Sequence, residues 1–344
     1  MSAELAPFSR AAALARVALA LPTPTALRIA YCQSPAMAAA IARELASGRY
    51  DLIHCDRFRL CGVLPAGPRP PVVWDLPDAL DLYYQRALRF AQSPLGRLVP
   101  RLEGPRIARR QAALMPRMAA TLVCSPVDAA HLARQAPGAH LEVVENTVDT
   151  DEFHPPGQER RGDHLVFAGT LSYLPNVDGL GYFMRDIWPR LRAGRPHLRL
   201  RLVGTRPGKV ARAFARQPGV ELVGHVPNMA AEMAEGILVC PIRVASGTRI
   251  KLLEAMAAEM PIVSTSLGIE GLSVQNEREL LVADDAARFV AAVERLLSDP
   301  ALRARLAEAG RRYVERHHSL AAVGRKLEAV YERACASITL SSAK

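Results

Sequence analysis

An alternation limits the fold more than any other feature of the sequence. Short apolar runs recur along the chain, and the stretches between them are long enough for a helix. Asp51–Cys55, Pro71–Trp74, Ala120–Cys124 and Leu141–Val144 form a first series. His164–Ala168, Leu198–Val203, Val220–Leu222, Ile237–Cys240, Pro261–Ser264 and Leu280–Val282 form a second. Strands joined through helices read as parallel sheets, because a parallel pair cannot be closed by a hairpin. Helices are expected before Asp51, across Asp81–Met118, at Gly247–Ala258 and at Ala286–Ser298, with two Arg-rich helices over Pro300–Cys335. Asn146–Arg161 is polar, carries paired prolines, and reads as a linker. At 344 residues the chain exceeds one ordinary core, so two α/β domains are expected. The first is the poorer one. It has four strand candidates against six, and its opening residues look helical rather than forming the strand, glycine turn and helix that normally start a doubly wound domain.

Composition excludes several classes. No apolar run approaches the roughly 20 residues of a membrane-spanning helix. Ala11–Leu21 has the apolar character of a signal-peptide core, but Arg16 interrupts it and an amphipathic helix is the better reading. The six cysteines form no C-x-x-C pair and most sit in strand-like runs, which fits buried free thiols and not a zinc site. The net charge of +10 admits anionic partners. Aromatic residues are few and are not interleaved with the basic ones, so single-stranded nucleic acid is not expected. Walker A, G-x-G-x-x-G and H-E-x-x-H patterns are absent.

The stretch ASGTRIKLLEAMAAEMP, Ala245–Pro261, carries the most chemistry. Ser246-Gly247-Thr248 precede an alanine-rich helix. A helix start offers unpaired N–H groups and positive potential, and small residues let a phosphate approach. Ser246 or Thr248 would serve equally as a plain N-cap. Arg249 and Lys251, placed in the first turn, oppose the helix dipole unless an anion lies nearby. Glu254 stands two turns in. An ion pair with Lys251 three residues back is one reading; a carboxylate accepting hydrogen bonds from ribose hydroxyls is the other.

GTRIKLLEAMAAEMPIVSTSLGIEGL resembles the donor-binding helix of the retaining glycosyltransferases of family 4, which have the GT-B fold. Further fragments resemble the family in the same order: VCSPVDAAHL, ENTVDTDEFHP, LVFAGTLSYLPNVDGL, RLVGTRPG and VELVGHVPNMAAEMAEGILVCPI. The resemblance runs from about Tyr31 to the C-terminus and is strongest over residues 165–275. It implies two Rossmann-like domains facing across a cleft: residues 1–155 on the acceptor side, 156–315 binding the nucleotide sugar, and 316–344 a helix packing back toward the first. By the same resemblance Glu254 binds the donor ribose. N–H groups of Gly247, Thr248 and Arg249 hold the diphosphate, Gly169 and Thr170 face it, Gly204 permits close approach, and Val226 contacts the base. Leu252 is counted with the donor-binding residues, and Arg249 and Lys251 with Glu254 as catalytic. No metal or other cofactor is implied. The partners are a nucleotide diphosphate sugar and a glycan or lipid-linked acceptor, in exopolysaccharide or cell-surface synthesis.

The departures from the family pattern are specific. Ser246 stands where the first of two glutamates belongs, which puts contacts to the sugar in doubt. The basic residues usual in the first loop of the C-terminal domain are missing, and Thr170 and Asn176 lie there instead. Arg249 and Lys251 are expected to supply that charge from the helix side. Glu259 replaces the glycine that usually ends the helix, at a modest capping cost. On the acceptor side Asp75 and Asp78 follow a strand end; turn-making and helix capping account for them equally well. The histidine usual near that point is not found in the local sequence. Arg97, Arg101, Arg106, Arg109, Arg110 and Arg117 crowd one stretch, either as an ordinary solvated helix or as a basic face for the inner membrane. The family's opening strand and glycine turn are expected to be missing before Met1, which would leave a sheet edge open. The expected enzyme is cytoplasmic, with or without peripheral contact to the inner membrane. A catalytically impaired nucleotide-binding remnant and a nucleotide-sugar epimerase on the same fold remain as alternatives.

Overall fold

A computed structural model describes residues 6–65, 69–90, 94–155, 164–233 and 236–341. The end of the Asn146–Arg161 linker therefore lies outside the described residues. The chain forms two compact units, one of residues 1–144 with 325–344 and the other of residues 145–324.

The first unit carries strands β1 (Ile53–Asp56), β2 (Val72–Asp75), β3 (Ala120–Val123) and β4 (Leu141–Val143), parallel and in sequence order. Among the described residues three helices, Arg10–Ala20, Leu27–Cys32 and Pro35–Ala46, precede β1. The inner strands β2 and β3 are short and apolar because both faces are covered. Trp74, fully buried, stacks on Phe58 across one face. On the other face Val73, Ala120 and Leu122 pack against Val330 and Ala334 of the helix Leu320–Ser341. The expected helical stretch Asp81–Met118 divides into Leu80–Phe90, Pro94–Leu114 and a 3-10 turn at Met115–Arg117. The second of these runs through Pro100 and Pro105. Each proline removes one backbone donor and kinks a helix.

The second unit holds β5 (His164–Ala168), β6 (Arg199–Val203), β7 (Val220–Gly224), β8 (Ile237–Cys240), β9 (Ile262–Ser264) and β10 (Leu281–Val282), all parallel, in the order β10-β9-β8-β5-β6-β7. The strand order reverses beside β5. In open α/β sheets the crevice at such a switch point, outside the carboxyl ends of the strands, is where ligands bind. Phe167, Phe183, Trp188 and Phe289 fill one side of the sheet, and Leu252, Leu253 and Met256 fill the other. Asn146–Phe153 is no free tether. Arg311 donates to the carbonyls of Phe153 (2.5 Å) and Thr150 (3.0 Å) and to Ala257 at a helix end (2.5 Å). Its charge sits where a helix dipole favours a cation.

The helix expected over Gly247–Ala258 is shorter, spanning Ile250–Ala257. Gly247 takes φ +66°, and Arg249 is the extended N-cap at φ −95°, ψ 98°. Three residues expected as helical turn are thus a loop, and Arg249 is not in the first turn. At the other end, Glu259 adopts φ +53°. Its N–H donates to Met256 (2.9 Å) and that of Met260 to Ala255 (2.7 Å), the paired bonds of a Schellman cap. A left-handed L-residue costs about 1–2 kcal/mol that glycine avoids, part of it returned as unfolded-state entropy. Glu259→Gly should stabilise the protein by about 0.5–1 kcal/mol, read as a rise in the urea midpoint at unchanged m-value. A fall would contradict this assignment of the cap.

Candidate functional site

The residues that the sequence marks converge in the second unit, where β5 and β6 end and the helix Ile250–Ala257 begins. Both strand ends turn through glycine. Gly169 has φ +131° and Gly204 φ +140°. A Cβ on Gly204 would stand 1.8 Å from the Gly169 carbonyl oxygen, so no larger residue fits. The Gly169 N–H donates to Val203 (3.0 Å) and the Gly204 N–H to Gly224 (2.7 Å). Gly204 is thus demanded by the approach of two protein backbones, whatever a ligand requires.

Lys251 projects from the first turn of the helix into this corner. Its ammonium donates to Asn176 Oδ1 at 2.8 Å and lies 5.0 Å from the centre of the Phe167 ring. A Cβ on Gly169 would come 3.4 Å from the Lys251 Nζ and 2.9 Å from Asn176 Nδ2. Asn176 in turn donates to the Thr170 carbonyl at 2.9 Å, and the Thr170 hydroxyl lies 3.4 Å from that of Thr205. Gly169, Thr170, Gly204 and Lys251 are therefore neighbours. Asn176, which the sequence showed only as a substitute in the loop, is the side chain that joins them. No carboxylate bonds to Lys251 among the described residues. Burial pushes its pKa below the ordinary lysine value, opposed by the thiol of Cys240, reinforced by Arg249 and opposed by Glu254.

Arg249 behaves differently. Its buried guanidinium donates to the carbonyls of Ser246 (3.3 Å), Gly247 and Glu270. It fastens the loop from behind, so the expected pair of cations divides into one facing the glycine corner and one serving as a clamp. The Thr248 hydroxyl accepts from Asn146 Nδ2 at 2.6 Å, which ties the start of the former linker to the loop. Arg243 holds the same loop to the helix Leu174–Tyr182 through a two-bond pair with Asp178 (3.1 and 2.8 Å) and lies over the Tyr182 ring.

Two polar groups at this site lack protein partners. The Glu254 carboxylate makes no hydrogen bond or ion pair among the described residues, and burial raises its pKa above the usual value, with Lys251 opposing. The hydroxyl of Ser246 is buried and unbonded. A buried hydroxyl is seldom left so, and it has a cost unless another molecule satisfies it. Val226 lies in the turn after β7, and its main-chain N–H and carbonyl take no hydrogen bond among the described residues. Leu252, expected with the donor-binding group, is fully buried in the core and presents no surface to a ligand. Its place is set by the helix face it shares with Leu253 and Met256.

The acceptor-side candidates lie in the first unit. Asp75 ends β2, and its carboxylate stands 3.6 Å from His54 Nε2, while His54 Nδ1 meets the Tyr331 hydroxyl at 2.9 Å. His54 belongs to the neighbouring strand β1. Parallel register pairs Asp56 with Asp75 and puts His54 on the same sheet face. Asp78 is half-buried ahead of the helix Leu80–Phe90. The Ala79 N–H beside it donates to Asp128 Oδ1 at 3.1 Å. Among the described residues no group of three His, Cys, Asp or Glu could hold a metal ion.

Residues 162–299 match the family described as Glycosyl transferases group 1. Curated relatives match as well, two of them as follows. An uncharacterised 44.6 kDa protein in the cps region of Klebsiella pneumoniae is 23% identical over 37% of this chain and 35% of its own length. An MMP alpha-(1->4)-mannosyltransferase of Mycolicibacterium hassiacum is 28% identical over 58% of this chain and 49% of its own length. The chain thus spans a third to a half of the curated relatives it matches. Among solved structures, the sucrose-phosphate synthase of Thermosynechococcus elongatus superposes with a TM-score of 0.72 at 18% identity, over 88% of this chain and 78% of that one. Anabaena HepE, solved with UDP and glucose, gives 0.66 at 12% identity, over 87% and 81%. The fold is that of the GT-B glycosyltransferases, with two parallel α/β sheets.

The buried cation has a stability signature. The folded-state pKa of Lys251 is lowered, so the unfolded chain binds the proton more tightly. The penalty is fully present below the folded pKa and disappears as pH rises toward the unfolded value near 10.5. Lys251→Met removes it. The stability of the native protein relative to Lys251→Met should therefore improve as urea midpoints are taken from about pH 7 to about pH 10. A difference that is flat or moves the other way would show that the ammonium is well solvated.

Proposed function

We propose that the chain is a retaining glycosyltransferase of the family-4 kind, moving a sugar from a nucleotide diphosphate sugar to a growing cell-surface or exopolysaccharide chain or its lipid-linked precursor. The observation that carries this reading is the Lys251 ammonium, half-buried beside the β5 and β6 glycine turns, with the Asn176 amide oxygen as its hydrogen-bond acceptor and no carboxylate bonded to it among the described residues. A buried cation of this kind is at its most favourable beside an anion. The group 1 match over residues 162–299 supports glycosyl transfer, and the cps-region relative supports a polysaccharide setting. HepE, of the same fold, is solved with UDP and glucose.

Each residue then has a task. Lys251 and the turn N–H of Thr170 would take the negative charge that develops on the leaving diphosphate, which is the main demand of the transition state. Glu254 would accept hydrogen bonds from the ribose hydroxyls, and Val226 would meet the base through its backbone. Ser246, with its unbonded hydroxyl, would stand on the sugar side, where a hydroxyl donates or accepts and a carboxylate only accepts. Arg249 would act by holding the loop in shape. With Lys251 supplying the charge on the diphosphate, no metal is invoked, and no side-chain nucleophile is named. The reaction is assigned to the cytoplasmic side, where nucleotide sugars are made.

Glu254→Gln separates this reading from an unrelated use of the fold. Hydrogen bonds to a charged group are each worth about 1.5–3 kcal/mol, so nucleotide diphosphate affinity should fall roughly 10- to 100-fold by calorimetric titration of UDP and GDP. The native protein should also lose affinity as pH falls toward the raised pKa of Glu254, because the protonated group accepts less well. Glu254→Gln should abolish that pH dependence. Binding that the substitution leaves unchanged would overturn the ribose assignment. Binding of one nucleotide without hydrolysis or transfer from any of its sugars would favour a nucleotide-binding remnant over an enzyme.

A further inference from the structure

The loop after β5 lacks the basic residues that the family pattern places there and carries Asn176. Its side chain is buried in the first turn of the helix Leu174–Tyr182. Both ends of the amide are taken. Oδ1 accepts from the Lys251 ammonium at 2.8 Å, and Nδ2 donates to the Thr170 carbonyl at 2.9 Å. An ammonium can only donate and a carbonyl can only accept. The amide therefore has one orientation, since a flip would set donor against donor and acceptor against acceptor. The turn it grips is held further by main-chain bonds. The Tyr173 N–H donates to the same Thr170 carbonyl (3.0 Å), the Asn176 N–H to Tyr173 (2.9 Å) and the Leu171 N–H to Thr205 (2.9 Å). The Thr170 N–H takes no partner among the described residues.

The same helix treats two cations in opposite ways. Asp178, two residues after Asn176, meets Arg243 with two charge-assisted bonds of 3.1 and 2.8 Å. Asn176 meets Lys251 with an oxygen that carries no formal charge. Such an oxygen orients the ammonium and leaves its charge unmatched. A carboxylate at the same point would pair with the lysine, and an anionic ligand would have to displace a bond already made. It would also set an oxygen against the Thr170 carbonyl, which needs a donor.

We infer that Asn176 is a positioning residue of the diphosphate site: it aims the Lys251 ammonium and the Thr170 N–H at the second phosphate and keeps the charge of the lysine unpaired for that ligand. It acts through Lys251 and Thr170, not by contact with the nucleotide. The inference rests on the nucleotide reading given above.

A double-mutant cycle on the full chain tests it. UMP and UDP, and GMP and GDP, are titrated by calorimetry into the native protein, Asn176→Asp, Lys251→Met and the double variant. In the native background Asn176→Asp should weaken diphosphate binding at least about tenfold and change monophosphate binding by no more than about twofold. In the Lys251→Met background the same substitution should weaken diphosphate binding by no more than about threefold. Asn176→Ala, which adds no charge, should weaken binding of the diphosphate alone, by several-fold. Urea midpoints establish that each variant is folded. Equal losses in the two backgrounds would mean that the new charge repels the ligand directly, and would overturn the inference. So would equal losses for monophosphate and diphosphate, which mark a residue that only holds the loop together. If the native protein gains nothing from the second phosphate, or if Lys251→Met leaves that gain whole, the nucleotide reading fails and the inference fails with it. A gain that depends on Lys251 but survives Asn176→Asp would leave the reading standing and overturn the inference alone.

Discussion

The second unit is organised around a half-buried ammonium group to which no carboxylate is bonded among the described residues. Lys251 has Asn176 Oδ1 at 2.8 Å and the Phe167 ring at 5.0 Å, and burial depresses its pKa. Desolvating a cation is among the largest single costs a small site can carry. It persists only if the surrounding structure fixes the group in place. Two glycine turns, one of which would clash at 1.8 Å with any side chain on the other, fix one wall. The helix that carries Lys251 fixes the other wall through Leu252, Leu253 and Met256, all buried.

The remaining contacts act as supports for that arrangement. Arg249 and Arg243 hold the loop ahead of the helix, the first through main-chain carbonyls and the second through Asp178. Asn146 holds it from the side through Thr248, and Arg311 closes the far end of the helix at Ala257. The half-buried Glu254 carboxylate and the unbonded Ser246 hydroxyl remain next to these fixed elements. A site whose polar groups are held rigid before a ligand arrives loses less entropy when one does. The protein tolerates the resulting instability because the sheet beneath, flanked by Phe167, Phe183, Trp188 and Phe289, is fully packed.

The ten strands were legible because a parallel strand covered on both faces must be a short, nearly continuous apolar run. Ala286–Ser298 was legible to the residue, since Asp285 caps it through the Arg288 N–H at 2.9 Å. The start of the key helix was not. Helix propensity does not register that Gly247 sits at φ +66° or that Asn146 binds Thr248 from far along the chain. The same limit applies to side-chain direction. Arg249 and Lys251 look alike in sequence, yet an extended cap residue and a first-turn residue point different ways, so one became a clamp and the other faces the glycine turns. Leu252 was misplaced for the converse reason: it follows the polar run that opens the helix, but its helical position is core. His54 could not be found locally because β1 and β2 are far apart in the chain, and only their register brings it to Asp75.

The central claim is that Lys251 answers the second phosphate of a nucleotide. The most direct measurement compares the affinities of a nucleoside monophosphate and the matching diphosphate in the native protein and in Lys251→Met. In the native protein the added phosphate should strengthen binding by tenfold or more, and in Lys251→Met most of that gain should vanish while monophosphate affinity changes little. An undiminished gain in the variant would mean that Lys251 does not face the diphosphate, and the account built on its burial would fail.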